Sequence, residues 1–375
     1  MGKKALIAMS GGVDSSVAAL LMKEQGYECI GVTMQLIRSS LQAGTENRPE
    51  SESKDVTEHS RASCSSDNIK DAQSVAEKLH IPYEVVDYRD DFKSKVMDPF
   101  VSSYLKGWTP NPCIECNRHL KFAHLYRTAV EMGCDVIATG HYARIVETDG
   151  VYRMLRAVDG SKDQSYVLYS LPKEQLGSIR FPLGAMTKEE VRRLAEAHGF
   201  INATRKDSQD ICFIPDGDYR QFMAEEYDVH IAAGDFIDRN GKVLGQHKGY
   251  HAYTIGQRKG LGIAAEKPYY VVDILPETNQ VVLGANEDLF AAALIAEDMN
   301  WLVDVDRDAG QGLKDIQAKV RYRHQAQDAA VEFLDSRQAR IVFREPQRAI
   351  TKGQAVVLYR GEQVLGGGTI VQVGS

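Results

Sequence analysis

Seven residues, Ser10-Gly11-Gly12-Val13-Asp14-Ser15-Ser16, combine the side chains and spacing that hold a phosphate group. Adjacent glycines let the backbone approach an anion without an intervening Cβ and permit positive φ. Three hydroxyls add neutral donors, and Asp14 is placed to hold the end of the turn or a Mg²⁺. An apolar run, Ala5 to Met9, comes before, and a helix-period stretch, Ser16 to Met22, comes after. Backbone N–H groups and the positive end of a helix dipole therefore converge on one spot. The string is neither G-x-x-x-x-G-K-[ST], because no lysine reaches the outer phosphates, nor G-x-G-x-x-G. A plain Ser/Gly turn capping a helix is the alternative. A second cluster is Thr109-Pro110-Asn111-Pro112-Cys113-Ile114-Glu115-Cys116-Asn117. Its prolines stiffen the segment, and Asn117 is suited to cap a helix beginning near Arg118. A thiol at a helix N-terminus has its thiolate favoured, which makes Cys116 a candidate nucleophile. C-x-x-C also suits a redox disulfide or half a metal site, although no second C-x-x-C accompanies it. Cys212, within Lys206 to Pro215, is a third thiol among polar and turn residues; packing is the ordinary role of a lone cysteine.

The elements that must position these residues divide along the chain. Apolar runs 4–9, 28–36, 82–87 and 135–139 read as buried parallel strands, separated by helical stretches 15–25, 67–80 and 118–133. Gly26 and Gly133 stand where helices end. This is an α/β pattern, a doubly wound parallel sheet whose ligands bind beyond the strands' carboxyl ends, where the glycine loop lies. Residues 39–63 are polar, acid-rich and without periodicity, and read as a long excursion. Thr187-Lys188-Glu189-Glu190 is a capping box opening a helix that stops at Gly199. After residue 215, glycine turns separate short alternating runs, the mark of a small β-rich domain. From about residue 285, runs at 316–322, 331–334, 339–343, 354–359 and 364–372 predict an antiparallel barrel. The expected domains are 1–215, 216–284 and 285–375.

A chain of 375 residues with 43% hydrophobic and 26% charged content is an ordinary globular composition. No run approaches membrane-span length, and no signal or transit peptide fits the start, so a cytoplasmic chain is expected. Six cysteines are too few and scattered for a disulfide scaffold. Cys29 and Cys134 read as packed residues. The net charge of −7 hides uneven patches: nine Lys/Arg against four acids lie between Lys319 and Arg360, and five Lys/Arg lie between Arg239 and Lys259. Such local fields attract a polyanion, although solvated faces of two small β domains read the same way.

The loop resembles the PP-loop of ATP pyrophosphatases, which split ATP to AMP and pyrophosphate while adenylating a substrate. Read with TPNPCIECNRHLK (109–121), Ala138 to Ala143, Lys162 to Tyr166, Asp207 to Pro215, His251 to Gly260 and Gly366-Gly367-Gly368, nearly the whole chain resembles the tRNA-specific 2-thiouridylases, the MnmA/TrmU family. The resemblance implies an adenine nucleotide alpha-hydrolase-like fold, with ATP held by Ala8, Met9, Ser10, Gly11, Gly12, Val13, Asp14, Ser15, Met34 and Gly140. It implies that ATP adenylates O2 of the wobble uridine and that Cys212 carries a persulfide supplied by a relay from a cysteine desulfurase. Cys116 then releases the sulfur, leaving a Cys116–Cys212 disulfide to be reduced. Asn111, Pro112 and Cys113 are implied to border the flipped base, and His141, Lys162, Asp163, Gln164, Arg321, Tyr322 and Gln354 to contact tRNA. The favoured tRNAs are those for Lys, Glu and Gln, and a monomer is expected.

Two departures stand out. Many members carry Asp where this chain has Cys113, so three thiols, Cys113, Cys116 and Cys212, are available, and a [4Fe-4S] cluster with one open iron is an alternative sulfur carrier. The family often has paired cysteines where this chain reads Ser63-Cys64-Ser65, so Cys64 is not expected to be essential. Rival readings are another PP-loop adenylating enzyme, against which the paired cysteines count, and a non-catalytic adaptor, against which the intact loop counts.

Overall fold

The computed structural model describes residues 2–37, 66–205, 211–214, 217–305 and 312–374. Contacts divide the chain into two units, Met1–Met97 with Cys113–Asp218, and Asp98–Pro112 with Tyr219–Ser375. No helix among the described residues is long and apolar enough to cross a membrane. The excursion at 39–63, Cys64, and residues 206–210 and 215 of the Cys212 motif lie outside the described residues.

The first unit is built on strands β1 (Lys4–Ala8), β2 (Glu28–Gln35), β3 (Tyr83–Asp87), β4 (Val136–Thr139) and β7 (Ile179–Arg180). They pair in the order β3-β2-β1-β4-β7, all parallel. β1 shows why its run is continuously apolar. Ala5 and Ile7 enter one core with Val17 of helix α1 (Val13–Glu24) and Val75 of helix α2 (Ser66–Lys78), while Leu6 enters a second core with Leu125 and Ala129. Both faces are covered, as parallel sheets require. The strand order reverses between β1 and β4, the position at which such sheets form a crevice beyond their carboxyl ends. A hairpin, β5 (Arg144–Thr148) and β6 (Val151–Leu155), follows β4. The expected capping box is present: Glu190 N donates to Thr187 Oγ1 and Thr187 N to Glu190 Oε2 at the start of helix α4 (Lys188–Ala197). Thr187→Ala removes the cap acceptor and is expected to destabilise this unit by about 1 kcal/mol, readable as a lower urea midpoint with unchanged slope.

Helix α3, between α2 and α4, differs from its expected extent. It begins at Pro112 rather than near Arg118, with an α turn Pro112–Glu115, a wide-turn π stretch Cys116–His124 and an α segment Leu125–Glu131. Asn117 is therefore inside the helix and caps nothing; its buried amide donates to Val167 O at 3.0 Å.

In the second unit, β8 (Gly234–Asp238), β9 (Val243–His247), β10 (Tyr270–Leu275) and β11 (Gln280–Gly284) form a small sheet in the order β10-β11-β8-β9. β12 (Phe290–Trp301), β13 (Leu313–Lys319), β14 (Gln327–Phe333), β15 (Ala339–Arg348), β16 (Ala355–Arg360) and β17 (Gln363–Val373) then form an antiparallel barrel, closed by β12 pairing with β17. Alternate residues such as Ile316 and Ala318, Val356 and Leu358 fill its interior. The helix Asp98–Leu105 belongs to this unit by its side chains. Tyr104 stacks on Tyr219 with ring centroids 4.4 Å apart, and Tyr227 donates to Asp98 at 2.8 Å.

Candidate active site: a glycine cradle and a helix of thiols

The turn after β1 holds itself open to a ligand by spending its own hydroxyls. Ser15 Oγ and Ser16 Oγ donate to Gly12 O at 2.9 and 3.1 Å, and Ser10 N donates to Ser15 Oγ at 3.1 Å. The expectation that three hydroxyls face the anion is thus corrected: Ser15 and Ser16 are buried, and of the three serines only Ser10 is exposed. Backbone N–H groups of the first turn of α1, which have no intrahelical acceptor, remain as the donors.

Two glycines are needed for the loop to sit where it does. Gly11 has φ +76°, and a Cβ there would fall 2.3 Å from Asn68 O. Gly140, just past β4, would bring a Cβ to 2.7 Å from Asp14 C and Ser15 N. The ends of β1 and β4 therefore meet backbone to backbone at the switch point. Asn202 completes the support from outside the motif, donating to Gly11 O at 2.8 Å and Ser16 Oγ at 2.9 Å. Met9 is buried, its carbonyl accepting from Thr33 Oγ1 at 2.6 Å. Ala8 and Met34 stand half-buried near the same sheet edge.

Asp14 is already engaged. Lys188 Nζ donates to its two oxygens at 2.7 and 2.8 Å, and Tyr142 OH donates to Oδ1 at 2.8 Å. Three hydrogen bonds thus already meet the Asp14 carboxylate in this arrangement. Lys188, Tyr142 and Asn202 are site residues that sequence reasoning missed; Tyr142 lies inside the 138–143 motif and Lys188 inside the capping box, but only the fold brings all three to the loop.

The thiols sit differently from expectation. Cys113 lies in the first turn of α3 and is exposed, whereas Cys116 is one turn further in and buried. Helix-terminal activation of Cys116 is thereby corrected: burial pushes its thiol up from the ordinary range, and Lys121 opposes that shift. The π stretch explains how Lys121 reaches it. A π turn runs from i to i+5, so residues five apart fall near one helix face. Lys121 Nζ also donates to His141 Nε2 at 3.5 Å, while His141 Nδ1 pairs with Thr139 Oγ1 at 2.7 Å. Burial, and then Lys121, keep this imidazole neutral. Lys121→Met removes the opposing cation, so alkylation of Cys116, followed by peptide mass spectrometry, is expected to require higher pH than in the parent protein.

Cys212 is half-buried. The adjacent Phe213 packs edge-on against Phe92 with centroids 5.6 Å apart. Among the described residues, no group of three or more Cys, His, Asp or Glu side chains is disposed to hold a metal ion. Cys113, Cys116 and Cys212 form no such group.

The residues implied to contact tRNA fall into two sets. Asp163 and Gln164 are scaffold in this arrangement: Asp163 accepts from Ala157 N and Ser165 Oγ, and Gln164 Oε1 accepts from Tyr142 N at 2.9 Å. His141 is buried, and Lys162 is half-exposed. In the second unit, Gln354 Nε2 donates to Thr109 O at 2.8 Å and Thr109 N donates to Lys352 O at 2.9 Å. Gln354 thus fastens the strap that carries Asn111 and Pro112. Arg321 donates to Arg348 O at 3.0 Å, and Tyr322 is exposed with Lys319 over its ring.

Three family models match successive parts of the chain: a tRNA methyl transferase HUP domain over residues 3–216, a tRNA methyl transferase PRC-barrel domain over 220–285, and an aminomethyltransferase β-barrel domain over 291–370. Over its whole length the chain is 50% identical to the tRNA-specific 2-thiouridylase MnmA of Carboxydothermus hydrogenoformans, covering 98% of this chain and 97% of the relative. It belongs to the tRNA-specific 2-thiouridylase family. The 2-thiouridylases of Geobacter metallireducens and Clostridioides difficile are each 46% identical, covering 98% and 99% of this chain and 96% and 98% of the relatives. Within this 2-thiouridylase chain, the glycine cradle and the α3 thiols both belong to the first unit.

Proposed function

We propose that this chain is an ATP-dependent tRNA 2-thiouridylase acting on the wobble uridine. The observation that carries the reading is the cradle at the sheet's switch point, where Gly11 and Gly140 admit no side chain and the first turn of α1 offers its N–H groups to a phosphate. ATP would be bound by residues 8–15 with Met34 and Gly140. Uridine O2 attacks the α-phosphorus, the bond to the bridging oxygen breaks, and pyrophosphate leaves with the electron pair. The adenylated oxygen is now a good leaving group. The terminal sulfur of a Cys212 persulfide attacks C2 and AMP departs. The Cys116 thiolate then attacks Cys212 Sγ, the S–S bond to the new sulfur breaks, and the thiocarbonyl is released with a Cys116–Cys212 disulfide. A dithiol reductant restores both thiols.

Asn111, Pro112 and Cys113 border the flipped base in this reading, and His141, Lys162, Asp163, Gln164, Arg321, Tyr322 and Gln354 serve tRNA contact directly or by holding the segments that make it. The sulfur comes from a cysteine desulfurase through a persulfide relay, the tRNAs are those for Lys, Glu and Gln, and the enzyme works in the cytoplasm as a monomer. Sulfur transfer is preferred to the methyl transfer in the domain descriptions because the relatives that match over their full length are thiouridylases. The test is mass spectrometry of nucleosides from a tRNA transcript incubated with the protein, ATP and a persulfide source. Appearance of 2-thiouridine that depends on all three supports the reading; its absence opposes it.

A further inference from the structure

The loop Ser10–Ser16 contains no basic residue, although a triphosphate is multiply anionic. A cation nevertheless reaches it. Lys188 starts α4, far along the chain, and its Nζ lies 2.7 and 2.8 Å from the two oxygens of Asp14 in the first turn of α1. Its side chain is only 10% exposed and its ammonium stands 5.9 Å from the centroid of Tyr142. The backbone at Lys188 is fixed: its N–H donates to Asp159 Oδ2 at 3.1 Å, and the Thr187–Glu190 capping box pins the turn.

Stability alone is a weak reason for such a pair. Desolvating an ammonium and a carboxylate costs about as much as their attraction returns, and apolar groups of similar volume would hold two helices as well. Position supplies a better reason. The pair stands at a helix N-terminus whose N–H groups await an anion, and an unneutralised Asp14 would repel that anion. A lysine is a compact charge on a flexible stem, able to swing between nearby oxygens.

We propose that Lys188 is the triphosphate-binding lysine of this site, held at the loop by Asp14 and Tyr142 and transferred to the phosphate oxygens when ATP binds. The inference rests on the ATP reading above. Lys188 forms no covalent bond and keeps its proton; it neutralises charge on the triphosphate and on the pyrophosphate that leaves as uridine O2 attacks. Asp14 retains the Tyr142 hydroxyl and the dipole of α1.

Calorimetric titration of ATP into Lys188→Met is expected to show affinity weakened roughly 10- to 100-fold, the worth of a charge-assisted hydrogen bond. Lys188→Arg should recover part of it, and tRNA affinity should be unchanged. ATP affinity equal to the parent's in a folded Lys188→Met protein overturns the proposal. A second measurement needs no variant. Adenosine triphosphopyridoxal places an aldehyde at the phosphate end of the nucleotide, so borohydride reduction should fix it to Lys188, and ATP should block the reaction. Labelling that ATP blocks but that falls on another lysine overturns the proposal while leaving the ATP reading intact. Failure of the parent protein to bind ATP at all would instead remove the reading on which the proposal rests.

Discussion

Cys212→Ser is expected to lower 2-thiouridine formation by more than about 1000-fold, because no other atom in the scheme carries the sulfur and loss of such a group removes the whole chemical route. Adenylation should survive, since the cradle proposed for ATP, residues 8–15 with Gly140, does not use that thiol. AMP is then expected from ATP and tRNA only at the rate at which the adenylated uridine is hydrolysed. Cys116→Ser should fail at a different step. The persulfide sulfur still attacks C2 and AMP still leaves, but nothing cleaves the remaining S–S bond. A protein–tRNA adduct should accumulate, visible by denaturing gel and intact mass. An external dithiol should resolve the adduct and release 2-thiouridine. Full thiolation by Cys212→Ser, or by Cys116→Ser in a single turnover without external thiol, would contradict the two-thiol route. The buried position of Cys116 adds a pH signature. Its thiol titrates above the ordinary range, so the sulfur-release step should accelerate with rising pH until the thiolate predominates.

The second large effect concerns the cradle. Gly140→Ala is expected to raise the KM for ATP and lower kcat together, by at least roughly tenfold in kcat/KM. The added methyl would lie 2.7 Å from the backbone of Asp14 and Ser15, so either β4 or the first turn of α1 must move. Gly11→Ala carries an additional strain, because an L side chain at φ +76° must also clear Asn68 O. Such a position costs about 1–3 kcal/mol and should lower the melting temperature by roughly 2 °C or more. Gly12 gives the contrast. Its φ is −87°, and the nearest contact of an added Cβ is Ser10 Oγ at 3.5 Å. Gly12→Ala should therefore leave the melting temperature unchanged. Equal melting temperatures for the alanine variants at positions 11 and 12 would contradict this account of the loop.

The parallel sheet was legible in the chain because its strands are buried on both faces. Ala5, Leu6 and Ile7 face opposite cores, so they appear as one uninterrupted apolar run, and Gly26 and Gly133 close the flanking helices at positive φ. The barrel was legible from runs whose alternate residues, such as Ile316 and Ala318, fill its interior. Hairpin β5–β6 was not marked by apolar runs, although Asp149-Gly150, both at positive φ, forms the two-residue turn that such hairpins favour. The start of α3 was misplaced because the two prolines suggested a rigid loop. Pro112 instead occupies the first helical position, where its missing N–H is harmless. The loop's glycines were legible as chemistry, whereas its lysine was not. Lys188 read only as part of the capping box that opens a helix, and only the packing of α4 beside α1 brings its ammonium to Asp14. Gln354 likewise gains its role only in the folded unit, where its amide reaches the carbonyl of Thr109.

In the proposed reaction ATP activates the oxygen that sulfur replaces. A tRNA transcript carrying ¹⁸O at O2 of the wobble uridine tests it in one mass spectrum of the AMP released. Attack of that oxygen on the α-phosphorus predicts AMP with one ¹⁸O atom for each 2-thiouridine formed. Unlabelled AMP accompanying stoichiometric 2-thiouridine would contradict it.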